Sequence, residues 1–265
     1  MVCQAGQPKL AAMAVGIIGL GRLGAALARG LGLAGFGEVY GFSRTAAHAQ
    51  QVADQAPGLI LLESAAEVLE RCDPVFLWMG GPQAAEVLAA NTEVTRRRRT
   101  LIVTCTSELS AEQLGSRWAQ TLPNVNLATG EGGTLVTWGP GLTEAERETV
   151  RGPLRAAGAV YEVSAAEMPF YSALASSGPA FYARIMETWA DAMADRHGLD
   201  RDYCRQMVRQ TVAGTVVLQD GDGIDAAEVI RRVAHPGGST GKGLAPLEVE
   251  FAATAEQMLR AMGRW

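Results

Sequence analysis

Lysine is almost absent from this chain. Lys9 and Lys242 are the only two among 23 basic residues, and the rest are arginine. Acidic residues number 28, leaving a net charge of −5, and the pI is near 5.3. Such a balance excludes a nucleic-acid platform. The arginine bias itself is compositional, although a guanidinium does bind phosphate well. Histidine is equally sparse, at His48, His197 and His235. Cys3, Cys72, Cys105 and Cys204 form no C-x-x-C pair and no zinc spacing. No metal site is therefore expected, and the thiols read as the reduced cysteines of a cytoplasmic protein. No stretch approaches ~20 apolar residues, so no membrane partner is expected. The apolar run from Leu10 to Leu20 follows Lys9 in the manner of a short signal peptide, but it is too short to span a bilayer. Residues 1–12 read as a tail.

What is present is glycine, 31 in 265 residues, without the period of collagen. Glycine at that level implies tight turns and close backbone approaches. The apolar pattern of the first half alternates. Strands are predicted at Ala14–Ile18, Val39–Phe42, Leu59–Leu62, Val75–Trp78, Leu101–Thr104, Val125–Leu127, Gly133–Trp138 and Val160–Val163. Helices are predicted between them at Leu23–Leu33, Thr45–Gln55, Ser64–Arg71, Gln83–Ala90, Ser110–Ala119 and Thr143–Ala156. Ser64 with Glu67, and Ser110, are the expected caps. Alternation at this spacing implies a parallel sheet covered on both faces. The Arg96–Arg99 run reads as a solvated turn.

Beyond Ala165 the period becomes purely helical. Phe181, Ile185, Trp189 and Met193 share one helix face, and Tyr203, Met207, Thr211 and Gly214 share another. Cys204, Val208, Thr215 and Leu218 add a further apolar side to that second helix. A helix apolar on more than one side is surrounded by protein, and a partner subunit is the natural supplier. Short and long helices follow at Ala226–Val233, capped by Asp225, and at Pro246–Met262. The expected division is a nucleotide-binding domain over residues 13–165 and a helical domain over 166–265.

Two features carry chemistry. Gly19-Leu20-Gly21-Arg22-Leu23-Gly24 is G-x-G-x-x-G, leaving a strand and opening a helix. Gly19 permits the turn, Gly21 admits a pyrophosphate and Gly24 lets helix and strand pack closely, while the helix N-terminus favours the anion. The second strand ends in Ser43-Arg44-Thr45 with no acid to take a ribose hydroxyl. Arg44 suits a 2′-phosphate, so NADPH is preferred, with NADH as the alternative. The second feature is His235-Pro236-Gly237-Gly238-Ser239-Thr240. Its glycines allow successive N–H groups to face one point, a nest suited to a small carboxylate. Ser177 precedes Gly178-Pro179, which opens a helix.

With these segments the chain resembles the pyrroline-5-carboxylate reductase family from Val15 to Glu248. The supporting residues are the Gly19–Gly24 turn, Ser43-Arg44-Thr45, Ser177-Gly178-Pro179-Ala180, Gln210-Thr211 with Gly214, and Pro236–Thr240 followed by Leu244 and Leu247-Glu248. The resemblance implies an α/β N-terminal Rossmann dinucleotide-binding domain plus a C-terminal all-α dimerisation domain. It implies a homodimer, sometimes a higher oligomer, whose active site lies at the dimer interface. It also implies reduction of 1-pyrroline-5-carboxylate to L-proline with NAD(P)H. Met79-Gly80-Gly81-Pro82 stands where the family has Lys-Pro, and Cys105-Thr106-Ser107 where it has Ala-Ala-Gly. Asn126–Thr129 stands near the place of its Met-Pro-Asn-Thr-Pro segment, and His235 replaces its serine.

The cofactor residues expected are Gly19, Leu20, Gly21, Arg22, Leu23, Gly24, Ser43, Arg44, Thr45, Met79, Gly80 and Cys105. Ser177, Gly237, Gly238 and Ser239 are expected to bind a cyclic imino acid. The resemblance puts Thr240 beside the imine nitrogen. His235 either serves as a proton donor or only packs beside Pro236. Other readings stay open: an imine reductase with another cyclic imino acid, and a non-catalytic cofactor-binding dimer. A β-hydroxy-acid dehydrogenase fits less well, because Met168–Met193 contains no lysine for its proton shuttle.

Overall fold

The structure, a computed structural model, describes residues 14–263. The tail expected at residues 1–12 lies outside them, with Cys3 and Lys9. By compactness the chain divides between Pro179 and Ala180.

The first part opens with β1 (Val15–Ile18), α1 (Arg22–Leu33), β2 (Val39–Phe42), α2 (Ala46–Ala53) and β3 (Leu59–Leu61). It continues through α3 (Ala65–Arg71), β4 (Val75–Leu77), α4 (Gly81–Ala90), α5 (Thr92–Arg98) and β5 (Ile102–Thr104). Then come α6 (Ala111–Leu114), β6 (Trp118–Pro123), a 3₁₀ turn at Val125–Thr129, β7 (Gly132–Trp138), α7 (Glu144–Ala156), β8 (Gly158–Glu162) and α8 (Met168–Leu174). The strands form one sheet in the order β3-β2-β1-β4-β5-β6-β7-β8. This is the α/β Rossmann-like architecture expected from the alternation.

Alternate residues of a strand point to opposite faces, and here both faces are covered. Val15 and Ile17 of β1 join Phe76 of β4, Val103 of β5 and Leu27 of α1 in one core. Ile18 joins Val75, Leu77, Ile102 and Leu69 of α3 in the other. All of these side chains are buried. That is why β1, β4 and β5 read as unbroken apolar runs.

The structure corrects the expected pattern in several places. The sheet is parallel except between β6 and β7, which run antiparallel. The helix predicted over Ser110–Ala119 stops after one turn at Gly115, whose φ is +81°. Trp118 and Ala119 instead begin β6, where alternate residues are buried and Trp118 pairs with Ile102. The strand predicted at Val125–Leu127 is the 3₁₀ turn. Most of the arginine run belongs to α5, and Arg99 closes that helix in the left-handed conformation. Caps behave as expected: Ser64 accepts from Glu67 N–H, and Ser110 forms a full capping box with Gln113. Near residue 165, where the period changes, the chain leads into α8, which packs on β7.

The second part contains α9 (Gly178–His197), α10 (Arg201–Asp222), α11 (Ala226–Val233) and α12 (Ser239–Ala261). Asp225 caps α11 by accepting from Glu228 N–H at 2.8 Å. The last helix starts earlier than the proline pattern predicts, with Pro246 inside it. Proline's φ is already helical, and the bond it forgoes is to the carbonyl of Lys242, an exposed residue that water can reach. These helices share only a small core of Ala190, Ala194 and Cys204. Trp189, Tyr203, Val217 and Val249 are all more than half exposed, at 64%, 62%, 68% and 72%. Among the described residues no helix is long and apolar enough to cross a membrane.

Candidate functional site

β1 ends at Ile18 and the chain turns at once. Gly19 has φ +100°, and an added Cβ would lie 2.6 Å from the carbonyl oxygen of Trp78. Its N–H donates to the Phe42 carbonyl at 3.0 Å, which holds the turn against the end of β2. Gly21 is the N-cap of α1, in extended conformation and without a side-chain cap. The first N–H groups of α1 are thus left to whatever approaches from outside. A Cβ on Gly24 would collide with the carbonyl oxygen of Gly19, whereas one on Gly21 would meet nothing within 4 Å. One glycine is needed for the turn, one for helix–strand packing, and one leaves the approach open.

This turn forms one wall of a cavity of about 310 Å³. Gly19, Leu20 and Gly21 line it together with Ser43, Arg44 and Thr45 at the end of β2, and Met79 after β4. The structure therefore gathers seven of the expected cofactor residues in one place. Arg22, Leu23 and Gly24 form the first turn of α1 behind them. Gly80 is the N-cap of α4. Cys105 follows β5, its thiol 3.7 Å from the Met79 carbonyl. Burial pushes that thiol up to about 11, so it stays protonated at neutral pH. The walls fit a dinucleotide: bare backbone and a helix N-terminus for the pyrophosphate, and hydroxyls with a guanidinium, but no carboxylate, at the end of β2.

After β4 the chain enters α4 through Gly80 and Gly81. A Cβ on Gly81 would collide with the Glu108 carboxylate, and one on Gly80 would lie 2.7 Å from Gln83 Oε1. Two glycines here make room for Glu108 and Gln83. Glu108 is held by its own N–H, which donates to Thr106 Oγ1 at 3.1 Å.

Ser177 sits at the end of the first part, just before α9. Its N–H donates to the Ser172 carbonyl at 2.9 Å, and Ser176 Oγ reaches the Pro123 carbonyl at 3.4 Å. Thr240, His235, Gly237, Gly238 and Ser239 belong to the second part. Gly237 has φ +76°, as a tight turn requires. Gly238 is the N-cap of α12, but its N–H donates to the His235 carbonyl at 3.0 Å. That N–H is spent within the turn, while Ser239 and Thr240 stand in the first turn of α12, whose N–H groups have no partner within the helix. His235 is exposed, and its ring makes no hydrogen bond among the described residues.

Two residues went unread in the sequence. His48, the third residue of α2, lines the cavity and bonds the Leu20 carbonyl. Its signal was a histidine one helical turn beyond Ser43-Arg44-Thr45. Asn124 follows Pro123 at the end of β6. Its side chain donates to the Ala175 carbonyl, in the segment that leads into Ser177.

Residues 165–264 match the family model described as pyrroline-5-carboxylate reductase dimerisation. Residues 14–108 match the model described as NADP oxidoreductase coenzyme F420-dependent. A pyrroline-5-carboxylate reductase of Treponema pallidum is 27% identical over 89% of this chain and 93% of its own. The structure of a pyrroline-5-carboxylate reductase from Coxiella burnetii superposes with a TM-score of 0.83 at 21% identity, covering 95% of each chain. That of Plasmodium falciparum pyrroline carboxylate reductase with NADP bound gives 0.79 at 22% identity, over 94% of this chain and 95% of the other.

Proposed function

This chain belongs to the pyrroline-5-carboxylate reductase family of NAD(P)-dependent reductases as a distant homologue, and from that premise we propose that it reduces 1-pyrroline-5-carboxylate to L-proline with NADPH. The observation that carries the cofactor half of this reading is the cavity that joins Gly19–Gly21 to Ser43-Arg44-Thr45. The substrate half rests on similarity to named reductases over most of the chain and on the motif from His235 to Thr240.

When bound, NADPH supplies the hydride that reduces C=N. The residues of the chain do the rest. The Gly19–Gly24 turn takes the pyrophosphate on backbone N–H groups. Arg44 pairs with the 2′-phosphate, and Ser43 and Thr45 donate to it. Ser239 and Thr240, with the free N–H groups of α12 after the Gly237-Gly238 turn, hold the substrate carboxylate. Thr240 lies by the imine nitrogen, and His235 delivers the proton that makes it an amine. The apolar faces of α9, α10 and α12 pair two copies into a homodimer.

A second reading is favoured by the strand ends. Glu108 over Gly81, with no lysine beside it, alters the wall next to the expected nicotinamide. This supports an imine reductase for a differently substituted cyclic imino acid. Both readings are tested by following NADPH oxidation against a panel of cyclic imines, with NADH in parallel. Turnover of pyrroline-5-carboxylate at ordinary enzyme rates supports the first reading. Turnover confined to other imines supports the second. Cofactor binding without turnover of any imine overturns both and leaves a non-catalytic dimer.

A further inference from the structure

Two hydrogen bonds tie the phosphate turn to the β2–α2 connection and the helix after it. One is the backbone bond from Gly19 N–H to Phe42. The other comes from a side chain: His48 Nε2 lies 2.8 Å from the Leu20 carbonyl oxygen. A carbonyl oxygen only accepts, so Nε2 carries the hydrogen. The bond to Leu20 leaves Nδ1 as the ring's other nitrogen. Nδ1 has no partner among the described residues. The ring lines the same cavity as Ser43, Arg44 and Thr45 and sits in the first turn of α2, where the helix favours an anion.

We propose that His48 is a cofactor-positioning residue that, through the Leu20 carbonyl, holds the phosphate turn in the shape that receives the dinucleotide. This rests on the NADPH reading above. The charged groups sharing the cavity are Arg44 from the end of β2 and Glu86 from α4. Arg22, in the first turn of α1, is the one charged residue of the glycine turn. His48 is the only imidazole among the residues lining the cavity.

Two substitutions test the clasp. His48→Gln keeps an N–H donor for the Leu20 carbonyl, whereas His48→Ala loses it. Dissociation constants for NADPH and NADH are measured by fluorescence titration without substrate, at fixed pH and ionic strength. His48→Ala is expected to weaken both cofactors about 5- to 20-fold, because the turn is no longer held. His48→Gln is expected to bind both within about threefold of the unmodified protein. Unweakened binding by His48→Ala, or equal weakening by the two variants, overturns the assignment while the NADPH reading stands. Failure of the unmodified protein to bind either cofactor overturns both.

Discussion

Asn124 donates through Nδ2 to the carbonyl of Ala175 at 2.9 Å, across 51 residues of chain. Its Oδ1 accepts from Asn126 N–H at 3.1 Å and from Gly133 N–H at 3.2 Å. One side chain, 7% exposed, therefore joins the 3₁₀ turn, β7 and the segment that leads into Ser177. Only an amide can both donate and accept in this way. Asn124→Asp keeps the acceptor and leaves the Ala175 carbonyl facing a carboxylate. It is expected to destabilise the protein by about 1–3 kcal/mol in urea denaturation, and to raise KM for the imine more than KM for NADPH. A substitution that shifts both equally would separate Asn124 from the substrate segment.

Gly24→Ala puts a methyl group into the Gly19 carbonyl. Helix α1 must then move away from the turn. The expected result is a stability loss of about 1–3 kcal/mol and at least about tenfold weaker NADPH binding. Thermal denaturation and fluorescence titration check the two effects separately.

Arg44→Ala tests the choice of cofactor. Loss of a charge-assisted pair is expected to weaken NADPH about 10- to 100-fold and to leave NADH within about twofold. Equal losses would mean that Arg44 reads the adenine and not the phosphate.

The Arg151 cluster governs acid stability. The buried guanidinium donates to Glu144 and Glu162 and lies 5.3 Å from the centre of the Trp138 ring. Hydrogen bonds from Arg151 hold both carboxyls below the usual carboxylate range. A folded-state value below the unfolded one contributes stability that is complete above the unfolded value, about 4.3, and is lost as pH falls through the folded one. Glu162→Gln is therefore expected to be less stable than the unmodified protein near neutrality, with the gap closing below about pH 4. Urea denaturation across that range decides it, and a gap independent of pH would rule out the Arg151 hydrogen bonds as the cause.

His235→Ser addresses the proton. If His235 serves the imine nitrogen, kcat in the variant is expected to fall while KM for NADPH stays unchanged. Unchanged kcat and KM would leave His235 as a packing residue beside Pro236.

The parts of the fold legible in the sequence are the local ones. Ile17 and Ile18 before Gly19 declare a buried strand and a turn, because period and backbone freedom act within a few residues. Ser64 and Asp225 declare helix starts for the same reason. The path of Trp118–Pro123 was not legible. Helical and extended conformations compete closely there, and pairing with β5 and β7 decides the outcome. The candidate site divides in the same way. Gly19, Gly21, Gly24 and Arg44 announce themselves by spacing, whereas His48 and Asn124 matter through partners 28 and 51 residues away.

Sequence by itself determined the alternating first half, the helical second half and the glycine turn that opens α1. Each depends on neighbours a turn or a strand apart. Tertiary structure alone decided that β7 reverses against β6, that Gly238 spends its N–H on His235, and that a histidine clasps the phosphate turn. Those outcomes depend on which backbone groups find partners once distant segments are packed together, and no local pattern encodes them.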